Sequence, residues 1–144
     1  MKALMALFFH EEWCYNQWAS WPLGYIGSNQ PELIQPYLQK MVSNLDHAGH
    51  NAVVRTTLKI FGDIDIPEEL EGQLFDKCFN YLSNPKYAIA IRVFSMTVLY
   101  RIVQNHPDLK PELIAEIEEH MPHGSAGFKS RGRKTLKLLK KDLK

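Results

Sequence analysis

Pro31-Glu32-Leu33-Ile34-Gln35-Pro36-Tyr37-Leu38-Gln39-Lys40-Met41 opens and closes like Pro111-Glu112-Leu113-Ile114-Ala115-Glu116-Ile117-Glu118-Glu119-His120-Met121, and Pro67-Glu68-Glu69-Leu70 falls between the two. Proline suits the first position of a helix, where its missing N–H would have had no partner and its φ is already helical. Glutamate in the first turn meets the positive end of the helix dipole. A second pattern interleaves with this one. Gln17 lies seven residues before Gly24, Arg55 seven before Gly62, Arg92 seven before Leu99 and Arg131 seven before Leu138. The four anchors are 38, 37 and 39 residues apart. Self-similarity at that period marks a chain of repeated two-helix units, each burying its neighbour's apolar stripe.

The pattern predicts helices over 2–9, 11–28, 31–45, 50–64, 67–82, 86–104, 108–121 and 126–143, or about four helix pairs. Short polar turns such as Ser28-Asn29-Gln30, Asp46-His47-Ala48-Gly49, Ser83-Asn84-Pro85 and His123-Gly124-Ser125 make neighbouring helices pack antiparallel. The expected fold is therefore all-α, an α-α superhelix of the solenoid kind. Ala88-Ile89-Ala90-Ile91-Arg92-Val93 is β-branched enough for a strand, but its register with the other anchors and the length of the run favour helix. Pro22 is expected to kink or break its helix near Ser20-Trp21. Pro36 is expected to restart a helix after a short turn at 31–34. No Gly/Ser-rich linker interrupts residues 1–144, which reads as a single domain. The first helix is apolar on all sides, so it is either covered or an interface, since a solenoid end otherwise needs a polar cap.

A chain of 144 residues, 45% hydrophobic and 23% charged, can build a core and lacks the composition of a disordered segment. The formal net charge of +1 hides a division. Residues 129–144 carry eight basic residues against Asp142, net +7, whereas residues 1–128 carry nine basic and fifteen acidic residues, net −6. Such asymmetry points to an anionic partner or to a contact between the two parts. Two cysteines, Cys14 and Cys78, without a CxxC pair, fit buried thiols in a reducing compartment. Met1 to Phe9 resembles a short signal segment, yet His10-Glu11-Glu12-Trp13 follows where a small-residue cleavage site would stand. No uncharged run reaches the ~18 residues of a membrane span. A cytoplasmic protein is the expectation.

Val53-Val54-Arg55-Thr56-Thr57-Leu58-Lys59-Ile60-Phe61-Gly62-Asp63-Ile64 and its relative over 90–102 resemble the second helix of HEAT repeats, with an arginine followed by small and aliphatic residues. The resemblance covers nearly the whole chain from about residue 5, and Gln17 departs from it in the first unit. It extends to small bacterial HEAT-like proteins, and it implies a HEAT/armadillo-like solenoid whose second helices line a concave binding face. It also admits kinship with HEAT-like DNA alkylation-repair proteins, although those are longer and their catalytic aspartate has no counterpart here.

Three constellations are candidates for binding. Phe128, Gly132, Thr135, Leu136, Leu139 and Leu143 share one face of the last helix. Basic residues, among them Lys129, Arg131, Arg133, Lys134 and Lys137, cover most of the remainder, a pattern suited either to a solvated cap or to phosphates. Arg55, Lys59, Arg92 and Arg101 lie on second helices. They either track an anionic partner or, for Arg55 and Arg92, pair with acids of the neighbouring unit and hold the stack together. Trp13, Trp18 and Trp21 spread around their helix, so at least two are expected in the core and one, Trp18 or Trp21, on the groove side, where an aromatic anchors an interface or stacks on a base.

Weaker patterns are read as structural. His47 with His50 and His120 with His123 lack a third ligand, so no metal site is expected. His120 and His123 are instead candidates to cap the negative end of their helix. Glu11-Glu12 and Glu118-Glu119 read as solvated faces. Gly124-Ser125-Ala126-Gly127 lacks a full phosphate-binding pattern and reads as a loop with Ser125 as N-cap. No cofactor is expected and no catalytic set assembles from spacing, so an enzyme is the least favoured class. A protein-binding adaptor ranks first, a nucleic-acid-binding module second, and a membrane partner is not favoured.

Overall fold

The computed structural model describes residues 1–46 and 51–142. Eight α-helices occupy them: α1 (Lys2–Phe8), α2 (Trp13–Asn29), α3 (Leu38–Asn44), α4 (Asn51–Asp63), α5 (Glu68–Ser83), α6 (Ile89–Val103), α7 (Lys110–His120) and α8 (Ala126–Asp142). No strand occurs among the described residues, so the β-branched run at 88–93 is helical from Ile89. The fold is an all-α helical repeat. The helices gather into two compact units, Met1–Leu70 and Glu71–Lys144.

In the first unit α1 has only seven residues and no side-chain N-cap, too few to persist alone in water. Packing holds it. Met5 and Phe8 are fully buried, and α1 lies against α2. Its last carbonyls, which have no amide of their own helix to accept from, are met by one side chain. The buried Asn16 amide donates to Phe8 O at 2.8 Å, to His10 O at 2.6 Å and more weakly to Leu7 O at 3.3 Å. The apolar first helix is thus covered, on this side, by its own hairpin partner.

The identical PELI segments fold differently. Residues 31–33 and 35–37 form two 3₁₀ turns, and the α-helix begins only at Leu38. At 110–120 the same residues open a continuous α-helix. The difference is Pro36, which stands where the later copy has Glu116. Its ring would strike the Glu32 carbonyl and it offers no N–H, so a helix begun at Pro31 cannot run through it. The predicted helix over 31–45 is corrected to this turn–turn–helix, with the restart falling after Pro36. Pro22 corrects the expectation in the opposite sense, because α2 continues through it from Trp13 to Asn29. Pro22 deprives the Trp18 carbonyl of its amide donor, but that carbonyl lies on the solvent-facing side of α2. Ala19, Leu23 and Gly27 on the opposite side are buried.

α2 and α4 run parallel with a constant offset. A Cβ on Gly24 would lie 3.8 Å from Lys59 Nζ, Gly27 abuts Ile60, and Ser28 Oγ donates to Asp63 Oδ2 at 3.0 Å. At Gly27 there is no room for a side chain between the helices. A methyl group there would come within 2.8 Å of Ile60 Cγ1 and 3.4 Å of Ile34 Cδ1. The second unit repeats the relation. Gly127 meets Ile89, the Arg92 guanidinium lies 4.5 Å from the Phe128 ring centre, and Arg131 Nη1 donates to Thr97 Oγ1 at 3.4 Å, so α8 lies parallel to α6.

α5 and α6 are antiparallel. At one end the buried Glu71 carboxylate accepts from Asn105 at 3.2 Å, with His106 3.6 Å away. At the other end Arg92 donates through Nε (3.1 Å) and Nη2 (2.8 Å) to the Leu82 carbonyl at the end of α5. Arg92 thus caps the helix that precedes it, as Asn16 does in the first unit, and among the described residues no acid of a neighbouring repeat is its direct hydrogen-bond partner. Burial lowers the pKa of its guanidinium from the ordinary value, and the charge of Glu116 partly opposes that. Beneath it Cys78 is fully enclosed, and burial pushes its thiol up to about 12 despite a hydrogen bond with Ser95. Ser125 caps α8 by accepting the Phe128 N–H at 3.2 Å, as the sequence suggests. The calls at His47, His50, Leu143 and the 46–49 turn beyond Asp46 lie outside the described residues.

Of the four anchors only Arg92 caps a helix; Gln17 and Arg55 are exposed, Arg131 is half-buried against Thr97, and the cap in the first unit is Gln17's neighbour Asn16. Asn16→Ala and Arg92→Ala are each expected to lower stability by about 1–3 kcal/mol, since each strands buried carbonyls. Arg55→Ala, at an exposed position, is expected to stay within about 0.5 kcal/mol. Urea denaturation followed by circular dichroism measures all three.

Candidate aromatic and basic binding face

α2 is amphipathic in an unusual sense. Its buried positions are mostly small, Asn16, Ala19, Ser20, Leu23, Gly24 and Gly27, because α4 must come close. Its large rings therefore point the other way. Trp18 and Trp21 are each 79% exposed, Tyr25 62% and Tyr15 39%. The rings form a series: His10 lies 4.5 Å from Tyr15, and Trp21 stacks near-parallel on Tyr25 at 6.3 Å. At roughly 150–250 Å² per aromatic side chain, these four expose about 500 Å², at the upper end of the largest apolar patch of a typical monomer. The expectation that at least two tryptophans are buried is corrected: Trp18 and Trp21 both face solvent. The signal was in the sequence, since Trp18, Trp21 and Tyr25 follow i, i+3, i+7 on one face while glycine, alanine and serine fill the other.

Beside this ridge runs the exposed edge of α4. Arg55 and Lys59 are exposed and one helical turn apart. The closeness of Lys59 Nζ to Gly24 puts its ammonium on the Trp21 flank of α2. Among the described residues neither cation has an ion-pair partner. The structure thus brings together four of the sequence candidates, Trp18, Trp21, Arg55 and Lys59, on two parallel helices of one unit.

The other candidates belong to the second unit and differ among themselves. Arg92 is 7% exposed and committed to Leu82 and Phe128. Its place in a phosphate-tracking row is corrected, because the guanidinium is buried, with its Nε–Nη2 edge turned to the Leu82 carbonyl and its plane near the Phe128 ring. Arg101, Lys129 and Arg131 are half-buried, and Arg133, Lys134 and Lys137 are exposed along α8. Phe128, Gly132, Thr135 and Leu139 form the buried face of α8, and Leu138 remains 46% exposed. Lys140 pairs with Glu118 at 3.0 Å.

One grouping escaped the sequence reading. Glu116, Glu119 and His120, on one face of α7, each present a ligand atom within 4.8 Å of the others. His120 Nε2 lies 2.9 Å from Glu116 Oε1, and the positive Arg92 guanidinium acts on the same carboxylate, so the cluster reads as an internal charge network. His120 turns to Glu116 and not to the helix end it was expected to cap.

With the repeat geometry established, the comparisons agree with it. A family model described as a HEAT repeat domain matches residues 1–139. The chain belongs to the HEAT repeat family. No curated protein and no solved structure is significantly similar to it. No helix among the described residues is long and apolar enough to cross a membrane.

Proposed function

We propose that this HEAT repeat protein is a non-catalytic adaptor and that its partner is a protein, which docks on the face formed by α2 and α4. The observation that supports this reading is the exposure of Trp18 and Trp21, 79% each, on a helix that buries its small residues. Tryptophan and arginine are the residues that most often dominate binding energy at protein interfaces, and here both types stand side by side. A photo-crosslinking benzoylphenylalanine at position 18 is expected to trap a discrete polypeptide in the native host. The same group at the exposed Glu112 position of α7 is expected to trap none. Equal labelling at both positions, or no adduct at position 18, contradicts the reading.

A second reading, a nucleic-acid-binding module related to HEAT-like DNA-repair proteins, draws on α8. Arg133, Lys134, Lys137, Lys140 and Lys141 are exposed there, and only Lys140 has a carboxylate within salt-bridge distance among the described residues. If α8 follows a phosphate backbone, labelled DNA binds at low salt and log affinity falls by about 0.9 per phosphate contact for each tenfold rise in salt. The doubly reversed Lys134→Glu, Lys137→Glu variant then loses most of that binding. Absence of binding at low salt removes this reading.

A further inference from the structure

We infer that the α2/α4 face takes a short extended segment of its partner in which one or two acidic residues alternate with apolar ones. This rests on the proposed reading of that face as a protein-binding site and names the chemistry it selects. Two parallel lines of side chains define the surface. Trp18, Trp21 and Tyr25 follow α2, and Arg55 and Lys59 follow α4, with Lys59 level with Gly24. Four residues of helix rise about 6 Å, so Arg55 and Lys59 are stepped along α4 by that amount. In an extended chain, side chains on the same side recur every two residues, about 6.6 Å. Residues i and i+2 of such a segment match the two cations, while i+1 and i+3 fall toward the tryptophan ridge.

Charge selects among possible occupants. Arg55 and Lys59 have no ion-pair partner among the described residues, and a partner whose apolar residues cover the ridge shields its own carboxylates from water beside the two cations, where their attraction is stronger. The unit as a whole repels polyanions: Met1–Leu70 contains four basic and eight acidic residues. A nucleic-acid strand meets that field along its length, whereas one or two carboxylates meet only the local pair. Glu11 and Glu12 stand before the start of α2, and Asp63 stands beside Ser28 at its end. Asp63, one helical turn beyond Lys59 on α4, penalises a register that moves the partner's carboxylates toward that end, a repulsive contribution to specificity.

Selection of random twelve-residue peptides displayed on phage, against the immobilised full-length protein, tests this. The enriched sequences are expected to carry Asp or Glu at i or at i and i+2, next to Leu, Ile, Phe or Trp. A synthetic peptide of that consensus should quench or shift the tryptophan emission. It should bind about tenfold more weakly to the Arg55→Glu, Lys59→Glu variant at low salt, and high salt should weaken binding to the native protein and narrow that difference. Selection against that variant should instead enrich Lys and Arg. Both substitutions are at exposed positions, and an unchanged circular dichroism spectrum shows that the variant is folded. A neutral or basic consensus that still needs Trp18 and Trp21 overturns this inference and leaves the face a protein-binding site. A consensus indifferent to Trp18→Ala, Trp21→Ala, or no enrichment at all, overturns it as well. Reversible dimerisation by analytical ultracentrifugation, abolished by Trp18→Ala, Trp21→Ala, overturns it in favour of a second copy of the chain.

Discussion

The close parallel approach of α2 and α4 is the constraint from which the first unit follows. Gly27 admits Ile60 to within van der Waals contact of the α2 backbone. A helix that must be this thin on its packed side has nowhere to put large rings except outside. Trp18, Trp21 and Tyr25 are on the surface because of what α2 does with α4. A close approach also helps make up for the modest amount of apolar side chain that α2 buries, since contact with the backbone itself replaces contact between long side chains.

Helix ends set the second condition. In each unit a buried side chain on a second helix gathers the carbonyls that finish the helix before it: Asn16 for α1, Arg92 for α5. The two do so with different chemistry, a neutral amide in one case and a charged fork stacked on Phe128 in the other. Of the recurring arginines only Arg92 fills this role. Arg55 stands exposed and Arg131 half-buried against Thr97.

Much of this was legible from residue order. The period of the anchors and the proline-glutamate starts announced paired helices, and seven of the eight helices lie within a few residues of their predicted bounds. The eighth failed at Pro36 because a local steric rule overrode a match in sequence to 111–121. Pro22 was misread for the converse reason: tertiary packing along Ala19, Leu23 and Gly27 holds α2 together across a proline. The face of α2 was misjudged because the spread of the three tryptophans around the helix was taken to put at least two of them in the core, whereas Trp18 and Trp21 lie with Tyr25 on one exposed face. The small residues were the better guide, since they mark where another backbone comes near. Arg92 was placed among binding residues by sequence position alone, and its capping role depends on where α5 ends, which periodicity does not specify.

The proposed binding face, with its exposed rings and two cations that have no ion-pair partner among the described residues, depends on α2 presenting its aromatic side to water in the isolated protein. Hydroxyl-radical footprinting of dilute protein, read residue by residue by mass spectrometry, measures that. Trp18, Trp21 and Tyr25 should be oxidised at rates close to those in the urea-unfolded chain, while Phe8, Phe61 and Phe128 are protected until unfolding. Protection of Trp18 and Trp21 to the level of those phenylalanines would contradict the packing of α2 on α4 and the binding face built on it.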